Sequence, residues 1–494
     1  MSRVVKAWPV AASIAMLVLA FPPFNFSLLV FVALVPWLKS LKDTDPKGAL
    51  RSGLLFGTLF WLHQLFFLVP FVGKWTESWL LGSIPWLLAP VLGAWYFAVL
   101  AWLIQRAFAI DRPWLVAFAW VTVEAGRSYF PGLSFPWGLL STPLWTVPQL
   151  IQSAALGTQF LTSGWVAFVN VFVMLVFDGI GRQRLLRYGL WAFAPMLLST
   201  WRFTQFQEGR PTSIMVGQPG LDFAFGSPEK LDNELPLVLE ALSATAESSD
   251  VALLVLPEGL MRTPTVLPPE HPFLRLPRVP VLFGMSRSHT DGKVFQSAYG
   301  FENGEWQVAD KSRLVVFGEY VPFRDYIPFL EAMRLPAGDL SAGTKTTTMV
   351  LGGVRIGPII CFEALFSDIA AAQVTQGAQL LAVMSIDDWY MGTNAPEQLA
   401  ANAIFRAVES GLPLVRSATL GTTMSVTARG QIVDLAEMKK PFGLRTTLLI
   451  PERSDSFALR ESVPWLALPA MLWVLGEPIY RRRRTSRASA PSSS

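Results

Sequence analysis

The sequence is poor in the side chains that most often act as general bases or bind metals. Its 494 residues include one cysteine, Cys361, and three histidines. A single cysteine excludes an internal disulfide framework and any zinc site built on several cysteines. Histidine, the most frequent general base, is scarce as well. An enzyme with this composition would take its general base from its carboxylates.

Charged residues are also few. They make up 15% of the sequence, and hydrophobic residues make up 52%, whereas a typical soluble protein has about 25% charged residues. This composition indicates that at least part of the chain lies in a membrane. The formal net charge is only +4, and the basic residues lie between apolar stretches, where membrane topology places them. The charge therefore predicts no nucleic-acid partner.

Eight apolar stretches have roughly the length that crosses a bilayer, for which a helix needs about 20 residues. Seven of them lie in residues 1–201, which we predict to be a membrane domain of seven transmembrane helices. The eighth lies in residues 461–480. The predicted spans are residues 8–21, 26–41, 53–72, 79–104, 114–129, 157–177, 185–201 and 463–480.

The Lys and Arg residues between the spans predict how the chain is oriented. They precede span one and follow spans two, four, six and eight, and the other loops hold few. Short cytoplasmic loops hold an excess of Lys and Arg, so we predict that both termini are cytoplasmic and that residues 202–460 lie on the opposite side. Residues 481–494 are predicted to be a basic, disordered cytoplasmic tail. The basic residues are Arg3, Lys6, Lys39, Lys42, Lys47, Arg51, Arg106, Arg112, Arg182, Arg184, Arg187 and Arg481 to Arg484.

The segment after the fifth span is apolar and aromatic without helical regularity, and residues 135–138 read Phe-Pro-Trp-Gly. Its aromatic residues favour two interpretations equally: an anchor at the lipid headgroups, or a re-entrant wall of a lipid-binding cavity. Near the end of that span lie Glu124 and Arg127. Ionisable residues in an apolar segment usually pair, so we predict a structural ion pair between them.

From about residue 202, apolar runs of strand length alternate with helical patterns. This alternation is typical of an α/β fold with buried strands. We therefore predict that residues 202–460 form a separate α/β domain outside the membrane. The predicted strands are residues 212–217, 251–256, 279–284, 354–360, 379–385 and 412–418, and the predicted helices are residues 228–248 and 396–410.

Cys361 lies where a predicted buried strand ends. Apolar residues at helical spacing follow it, including Phe362, Leu365 and Ile369, and predict a helix. A cysteine at such an elbow lies near a helix N-terminus, whose partial positive charge favours the nucleophilic thiolate. The alternative is an inert buried cysteine, because free cysteine is among the most buried residue types.

Two further residues fit chemistry at Cys361. Glu258 ends the buried run 251–256, where a carboxylate needs partners or a task. Lys311 precedes an apolar run, and Glu319 follows eight positions later. Alone, each charge is typical of a protein surface. A nucleophilic cysteine without a catalytic histidine beside it needs another base. A Glu can act as that base, and a Lys can stabilise an oxyanion.

These residues lie in motifs that resemble a known family. LPEG at Glu258, DKSRLVVFGEYVP at Lys311 and GPIICFE at Cys361 are similar to the Glu-Lys-Cys triad of the nitrilase, or carbon-nitrogen hydrolase, superfamily. The FGEYVPF block, the FPWG segment and the eight apolar stretches narrow the resemblance to the apolipoprotein N-acyltransferase family. The resemblance implies a four-layer α-β-β-α sandwich on the periplasmic side of a membrane domain of about eight spans, in the bacterial inner membrane.

The resemblance also implies an activity. It implies transfer of an acyl chain from a phospholipid, through a Cys361 thioester, to the α-amine of the S-diacylglyceryl N-terminal cysteine of a lipoprotein. In this reaction Glu258 moves the proton and Lys311 holds the oxyanion. The implied supporting residues are Glu319, Phe362 and Glu363. The expected partners are the phospholipid, the modified apolipoprotein and the bilayer; the chain is expected to be a monomer that needs no metal or organic cofactor.

Two positions depart from the family pattern. The family commonly has Tyr where this chain has Phe362, and a polar residue where this chain has Ile386. Two alternative functions remain. One is a membrane-tethered amidase or nitrilase that uses the same triad and water. The other is a catalytically inactive paralogue that binds lipoproteins.

Overall fold

A computed structural model describes residues 7–260, 278–327, 335, 338–453, 460–473 and 476. The N-terminal part of the chain, up to residue 204, is helical. The predicted tail, residues 481–494, lies outside the described residues. The helices are α1 (Ala7–Ala20), α2 (Val35–Lys42), α3 (Pro46–Gln64), α4 (Leu68–Trp75), α5 (Trp79–Ala109), α6 (Leu115–Ser128), α7 (Ala154–Phe177) and α8 (Arg182–Thr204).

Among the described residues, α5 and α7 are long and apolar enough to cross a membrane, and α3 with α4 would form a third span if this pair, bent by 53°, is one broken helix. The predicted span at residues 26–41 is wrong as a continuous helix. It consists of the 3-10 helix Ser27–Phe31 and α2. Pro36 lies in the first turn of α2, and proline cannot donate a backbone hydrogen bond to a preceding turn. The total of eight spans stays a prediction.

The second part of the described chain contains twelve strands in two six-stranded sheets, three further α-helices that pack on them, and a short apolar helix, Val463–Trp473, after them. The helices are α9 (Pro228–Ser248), α10 (Ser367–Thr375) and α11 (Ala395–Ser410). The strands are β1 (Arg210–Gln218), β2 (Leu253–Val255), β3 (Val281–Ser288), β4 (Val294–Glu302), β5 (Glu305–Asp310), β6 (Met349–Leu351), β7 (Val354–Ile360), β8 (Leu380–Ser385), β9 (Leu414–Ala418), β10 (Met424–Val426), β11 (Ile432–Leu435) and β12 (Phe442–Ile450).

The strand orders are β12-β1-β2-β3-β4-β5 and β11-β10-β9-β8-β7-β6. In the first sheet β1, β2 and β3 are parallel, and in the second β7, β8 and β9 are parallel; the other neighbours are antiparallel. Parallel strands are buried on both faces and read as continuous apolar runs. The predicted strands are accordingly the parallel ones. The antiparallel strands were not predicted, and α9 has the predicted bounds.

The two sheets pack face to face. One buried cluster combines residues of the first sheet, such as Val216 and Val255, with residues of the second, such as Ile356 and Met384. Helix α9 packs on the other face of the first sheet. Helices α10 and α11 cover the other face of the second sheet, in a cluster that continues into the N-terminal helices. The second sheet is therefore the one that lies against the helical part.

The predicted ion pair between Glu124 and Arg127 is wrong. No ion pair within 4 Å joins these two described side chains. Glu124 Oε1 instead accepts from the backbone N–H of Leu140 at 2.8 Å. Arg127 donates to the carbonyl oxygens of Trp137 at 2.8 Å and Gly138 at 3.2 Å. Both charges therefore satisfy the backbone of the irregular segment after α6, where no regular structure pairs these groups.

Buried polar residues join α11 to the N-terminal helices. Glu409 Oε1 accepts from the backbone N–H of Gln159 at 2.6 Å and pairs with Arg406 at 2.9 Å. Arg406 also donates to the carbonyl oxygen of Leu365, four residues after Cys361, at 2.8 Å. Buried charges of this kind need partners to offset lost hydration. The segment that carries Cys361 is thereby fixed relative to α7.

Candidate active site

Cys361 lies at a sharp turn between β7 and the 3-10 helix Cys361–Leu365. Its φ angle is 52°, in the left-handed region that non-glycine residues rarely adopt. Strained backbone of this kind clusters at functional sites. The predicted elbow is present, but the helix after it is a single 3-10 turn, because Phe366 is extended and α10 begins only at Ser367.

Glu258 approaches Cys361 from the facing sheet. It follows β2 after Pro257, and its side chain is 4% exposed. Strand β3 passes directly against Glu258. The two backbones are so close that a Cβ atom added to Gly284 would lie 2.7 Å from the Glu258 Cα. Only glycine permits this approach of two backbones. The glycine in β3 therefore sets the position of the carboxylate.

Lys311 lies between two carboxylates. It follows β5 directly and is fully buried. Its Nζ is 2.6 Å from Glu319 Oε1 and 3.7 Å from Glu258 Oε1. A buried ammonium without partners would be costly. The carboxylates of Glu258 and Glu319 therefore stabilise the charged form of Lys311.

The two predicted supporting carboxylates fix the backbone around Lys311. Glu319 Oε2 accepts from the Val315 backbone N–H at 2.9 Å. Glu363 Oε1 accepts from the Ser312 backbone N–H at 2.7 Å, and its Oε2 accepts from the Ile360 N–H at 2.9 Å. Glu363 thus ties the residue before Cys361 to the residue after Lys311.

Phe362 points away from this polar group. Its ring stacks on Phe135 with centroids 6.0 Å apart and meets Phe366 edge to face at 5.4 Å. Trp137 of the same FPWG segment is 3% exposed, so it is buried rather than placed at a lipid surface. The FPWG segment packs behind the Cys361 turn.

The environment of Cys361 favours the thiol. Burial raises the pKa of Cys361, the Glu258 carboxylate raises it further, and Lys311 lowers it. Together these effects raise the pKa of the thiol to about 12. The predicted preference for thiolate is therefore wrong. The 3-10 helix after Cys361 has only five residues, and its weak dipole is outweighed by burial. Attack by Cys361 requires a base.

Glu258 is suited to exchange a proton near neutral pH. Burial raises the pKa of Glu258, Lys311 lowers it and Glu319 raises it. Together these effects raise the pKa of this carboxyl to about 7. The hydrogen bond with the Cys361 thiol also lowers it. For Lys311, burial lowers the pKa, but Glu319 and Glu258 outweigh burial and raise it well above its usual value. The site thus combines a thiol, a carboxyl that can gain or lose a proton, and a fixed ammonium.

A cavity of about 240 Å³ opens on Cys361, Glu258 and Glu319. One side of it is aromatic. Phe71 of α4 packs against Trp389 and Tyr390. The ring centroid of each lies 5.7 Å from the ring centroid of Phe71. The N-terminal helical part therefore supplies part of the cavity wall.

A buried polar chain that was not predicted from the sequence lies beside the Cys361 sulfur. Ser385, at the end of β8, has its Oγ 3.4 Å from Cys361 Sγ and donates to Asp387 at 2.7 Å. Asp387 forms two hydrogen bonds with Arg416, at 2.7 and 2.9 Å. A signal was available, because β8 is the parallel neighbour of β7 and ends at the same edge of the sheet.

Ile386 follows Ser385 and lines the cavity. Its Cδ1 lies so close to Gly259 that a Cβ atom there would be 2.4 Å away. Gly259 also has a φ of 78°, which glycine adopts readily. The position where the family commonly has a polar residue therefore forms an apolar wall beside Glu258.

Two family models match the chain. Residues 13–172 match the apolipoprotein N-acyltransferase N-terminal domain, and residues 277–443 match carbon-nitrogen hydrolase. The first match is to a domain named for apolipoprotein N-acyltransferases, and the chain is similar to that family. The first match contains the FPWG segment, and the second contains Lys311 and Cys361.

Curated relatives agree with this family. An apolipoprotein N-acyltransferase of Geobacter metallireducens is 28% identical over 84% of this chain and 84% of its own length. One of Gloeobacter violaceus is 29% identical over 84% of this chain and 82% of its own length. A carbon-nitrogen hydrolase of Helicobacter pylori, known from its crystal structure, aligns with 48% of this chain and 89% of its own at 16% identity, with a TM-score of 0.37.

Proposed function

We propose that this chain transfers an acyl chain from a phospholipid to the α-amine of the S-diacylglyceryl N-terminal cysteine of bacterial lipoproteins. The observation that carries the proposal is the arrangement of Glu258 and Lys311 around the Cys361 thiol, 3.7 Å apart at their charged groups. Its support is the family, whose curated members are named for this activity.

The first half-reaction forms a thioester. The Cys361 sulfur bonds to the carbonyl carbon of the phospholipid ester while its proton passes to Glu258. Lys311 stabilises the negative charge that develops on the carbonyl oxygen. The carbon–oxygen bond to the glycerol then breaks, and Glu258 gives the proton to the departing lysophospholipid hydroxyl.

The second half-reaction forms an amide. The α-amine of the lipoprotein attacks the thioester carbon, and Glu258 takes a proton from the nitrogen. The carbon–sulfur bond breaks, and the sulfur recovers a proton from Glu258. A pKa of about 7 for Glu258 suits both directions of transfer. A group that acts as base and then as acid in one cycle works best when its pKa is near the ambient pH.

The supporting residues position this group. In this proposal Glu319 orients the Lys311 ammonium, Glu363 fixes the turn at Cys361, and Phe362 anchors that turn on the FPWG segment. The reaction as written uses only these side chains and needs no metal or organic cofactor.

We also propose how the chain lies in the membrane. Residues 1–201 and 461–480 would provide eight spans in the bacterial inner membrane, and residues 202–460 would form a periplasmic domain whose layers follow the order α-β-β-α. The packing of α9 on one sheet, and of α10 and α11 on the other, supports this order. Both termini would be cytoplasmic and the chain a monomer.

Intact-mass analysis of the purified protein tests the proposed function. Incubation with phospholipid should add the mass of one fatty-acyl chain, and hydroxylamine should remove it, because it cleaves thioesters. An amidase would be acylated by a small amide and hydrolysed by water, without a fatty-acyl adduct. A binding paralogue would show no covalent adduct at all. Either result would contradict the proposal.

Fusions to alkaline phosphatase test the orientation. The phosphatase needs disulfides, which form in the periplasm and not in the cytoplasm. A fusion after Gly209 should be active, and a fusion after Arg487 should be inactive. The opposite pattern, inactive after Gly209 and active after Arg487, would show that the catalytic domain faces the cytoplasm.

A further inference from the structure

A second cavity, of about 820 Å³, lies among α6, α7, α8 and the 3-10 helix Val463–Leu466. It shares no lining residue with the cavity at Cys361. Its volume is within the range of about 300–1,000 Å³ that is typical of ligand sites. Most of its lining is apolar or aromatic, including Trp114, Phe118, Trp165, Phe168, Tyr188 and Trp191.

One end of this cavity is basic. Arg112, Arg184 and Arg187 line it together with a single acid, Asp111, so three positive charges and one negative charge leave a net +2. Arg184 pairs with Asp111 at 2.7 Å. Arg112 and Arg187 are exposed, and neither has a carboxylate within 4 Å among the described residues. Two guanidinium groups therefore face the end of an apolar groove.

The depth of the groove is close to one leaflet. Along α8 the lining runs from Arg184 to Pro195, and along α6 from the N-cap residue Trp114 to Val121. At about 1.5 Å per helical residue these distances are about 17 and 11 Å. Half of the hydrocarbon core of a bilayer is about 15 Å. The apolar lining thus has the length of a fatty-acyl chain in one leaflet.

Helix α8 has few protein contacts in this region. Of its 23 residues only Ala192 and Ser199 are buried. Its exposed apolar residues include Trp191, which also lines the groove. A ligand in the groove would contact both α6 and α8 and would bury part of this surface.

We propose that the groove binds one anionic phospholipid, with its phosphate at Arg112 and Arg187 and its acyl chains along α6, α7 and α8. Guanidinium groups bind phosphate through paired, charge-assisted hydrogen bonds. Basic pockets between membrane helices on the cytoplasmic side recognise anionic headgroups. This lipid belongs to the cytoplasmic leaflet and is not the acyl donor. The assignment to this leaflet rests on the orientation proposed above.

Native mass spectrometry of the full-length protein in non-ionic detergent tests this site. With phosphatidylglycerol as the probe, one lipid should stay bound. Phosphatidylethanolamine should bind at least about tenfold more weakly, a difference of about 1.4 kcal/mol, because the ammonium of its headgroup offsets the phosphate charge. The double variant Arg112→Gln with Arg187→Gln should lose about tenfold in affinity for phosphatidylglycerol. Phosphatidylglycerol should also raise the Tm of the wild type and not that of the double variant.

Two controls define the site. Arg182→Gln removes an exposed arginine at the start of α8 that does not line the groove, and should leave binding unchanged. Ala117→Phe keeps the charges and fills the groove, so it should reduce binding. Equal binding of the two lipids, unchanged binding in the double variant, or a dimer in place of a lipid complex would each overturn the proposal.

The same spectra separate this proposal from the proposed function. The lipid in the groove is non-covalent and is lost on denaturation, whereas the acyl group on Cys361 is covalent and is removed by hydroxylamine. The double variant should still be acylated. Absence of acylation with phosphatidylglycerol still bound would contradict the proposed function alone. Acylation without retained lipid would contradict the groove alone.

Discussion

Mature lipoproteins from cells that depend on a Cys361→Ser variant should keep a free N-terminal amine. The serine hydroxyl is far less acidic than a thiol and a poorer nucleophile near neutral pH. Burial already raises the pKa of the Cys361 thiol to about 12, so a hydroxyl at this position would be harder still to deprotonate. We expect complete loss of acyl transfer, measured by mass spectrometry of N-terminal lipopeptides.

The replacement should leave the fold intact. Sulfur and oxygen differ little in size, and the turn at position 361 is held by Glu363 through backbone groups. The variant should therefore insert into membranes in wild-type amounts. Cys361 is the only cysteine, so the variant should also carry no thioester, that is, no adduct that hydroxylamine removes at neutral pH. Fully N-acylated lipoproteins in these cells would remove Cys361 from the mechanism.

The places of Glu258 and Cys361 could be predicted because both residues lie at the ends of buried strands. Glu258 follows β2 and Cys361 follows β7, whereas Lys311 follows β5, which is largely exposed. A polar residue directly after an apolar run is visible in the sequence, and the pairing of two sheets brings such residues together. That these three residues form the catalytic group remains a prediction that the experiments above and below test.

Protonation could not be predicted in the same way. The sequence shows that Cys361 begins a turn, but it does not show how deeply the sulfur is buried or that Glu258 faces it. Burial and the carboxylate decide the pKa here. The same limit applies to Glu124 and Arg127. Their spacing suggests a pair, whereas both side chains hydrogen-bond to backbone groups of the irregular segment that follows α6.

Antiparallel strands were missed for a related reason. Strand β12 alternates buried and exposed residues, and β5 is largely exposed, so neither reads as a continuous apolar run. Lys311 nevertheless depends on β5, because the strand delivers it between Glu258 and Glu319. The sequence could therefore identify Lys311 by its motif and not by its place in the fold.

Glu258 and Lys311 act on the Cys361 thiol in opposite directions. The negative charge of Glu258 raises the pKa of Cys361, and the positive charge of Lys311 lowers it. Loss of either residue should stop acylation. Glu258→Gln removes the base, and Lys311→Met removes an oxyanion donor, which typically costs about 100- to 1,000-fold in rate. Activity alone therefore does not separate their roles.

Iodoacetamide labelling of Cys361 across pH separates them, because it reports the thiolate without the ester. Above a pH of about 7, where Glu258 is charged, Lys311→Met should shift the labelling curve to higher pH because the pKa of Cys361 rises. Glu258→Gln removes a negative charge, so the curve should stay in place or shift lower. Lys293→Met, which removes an exposed lysine of the same domain, should not move it. If Glu258→Gln moved the curve upward as far as Lys311→Met does, Glu258 would be stabilising the thiolate, and the base would have to be another residue.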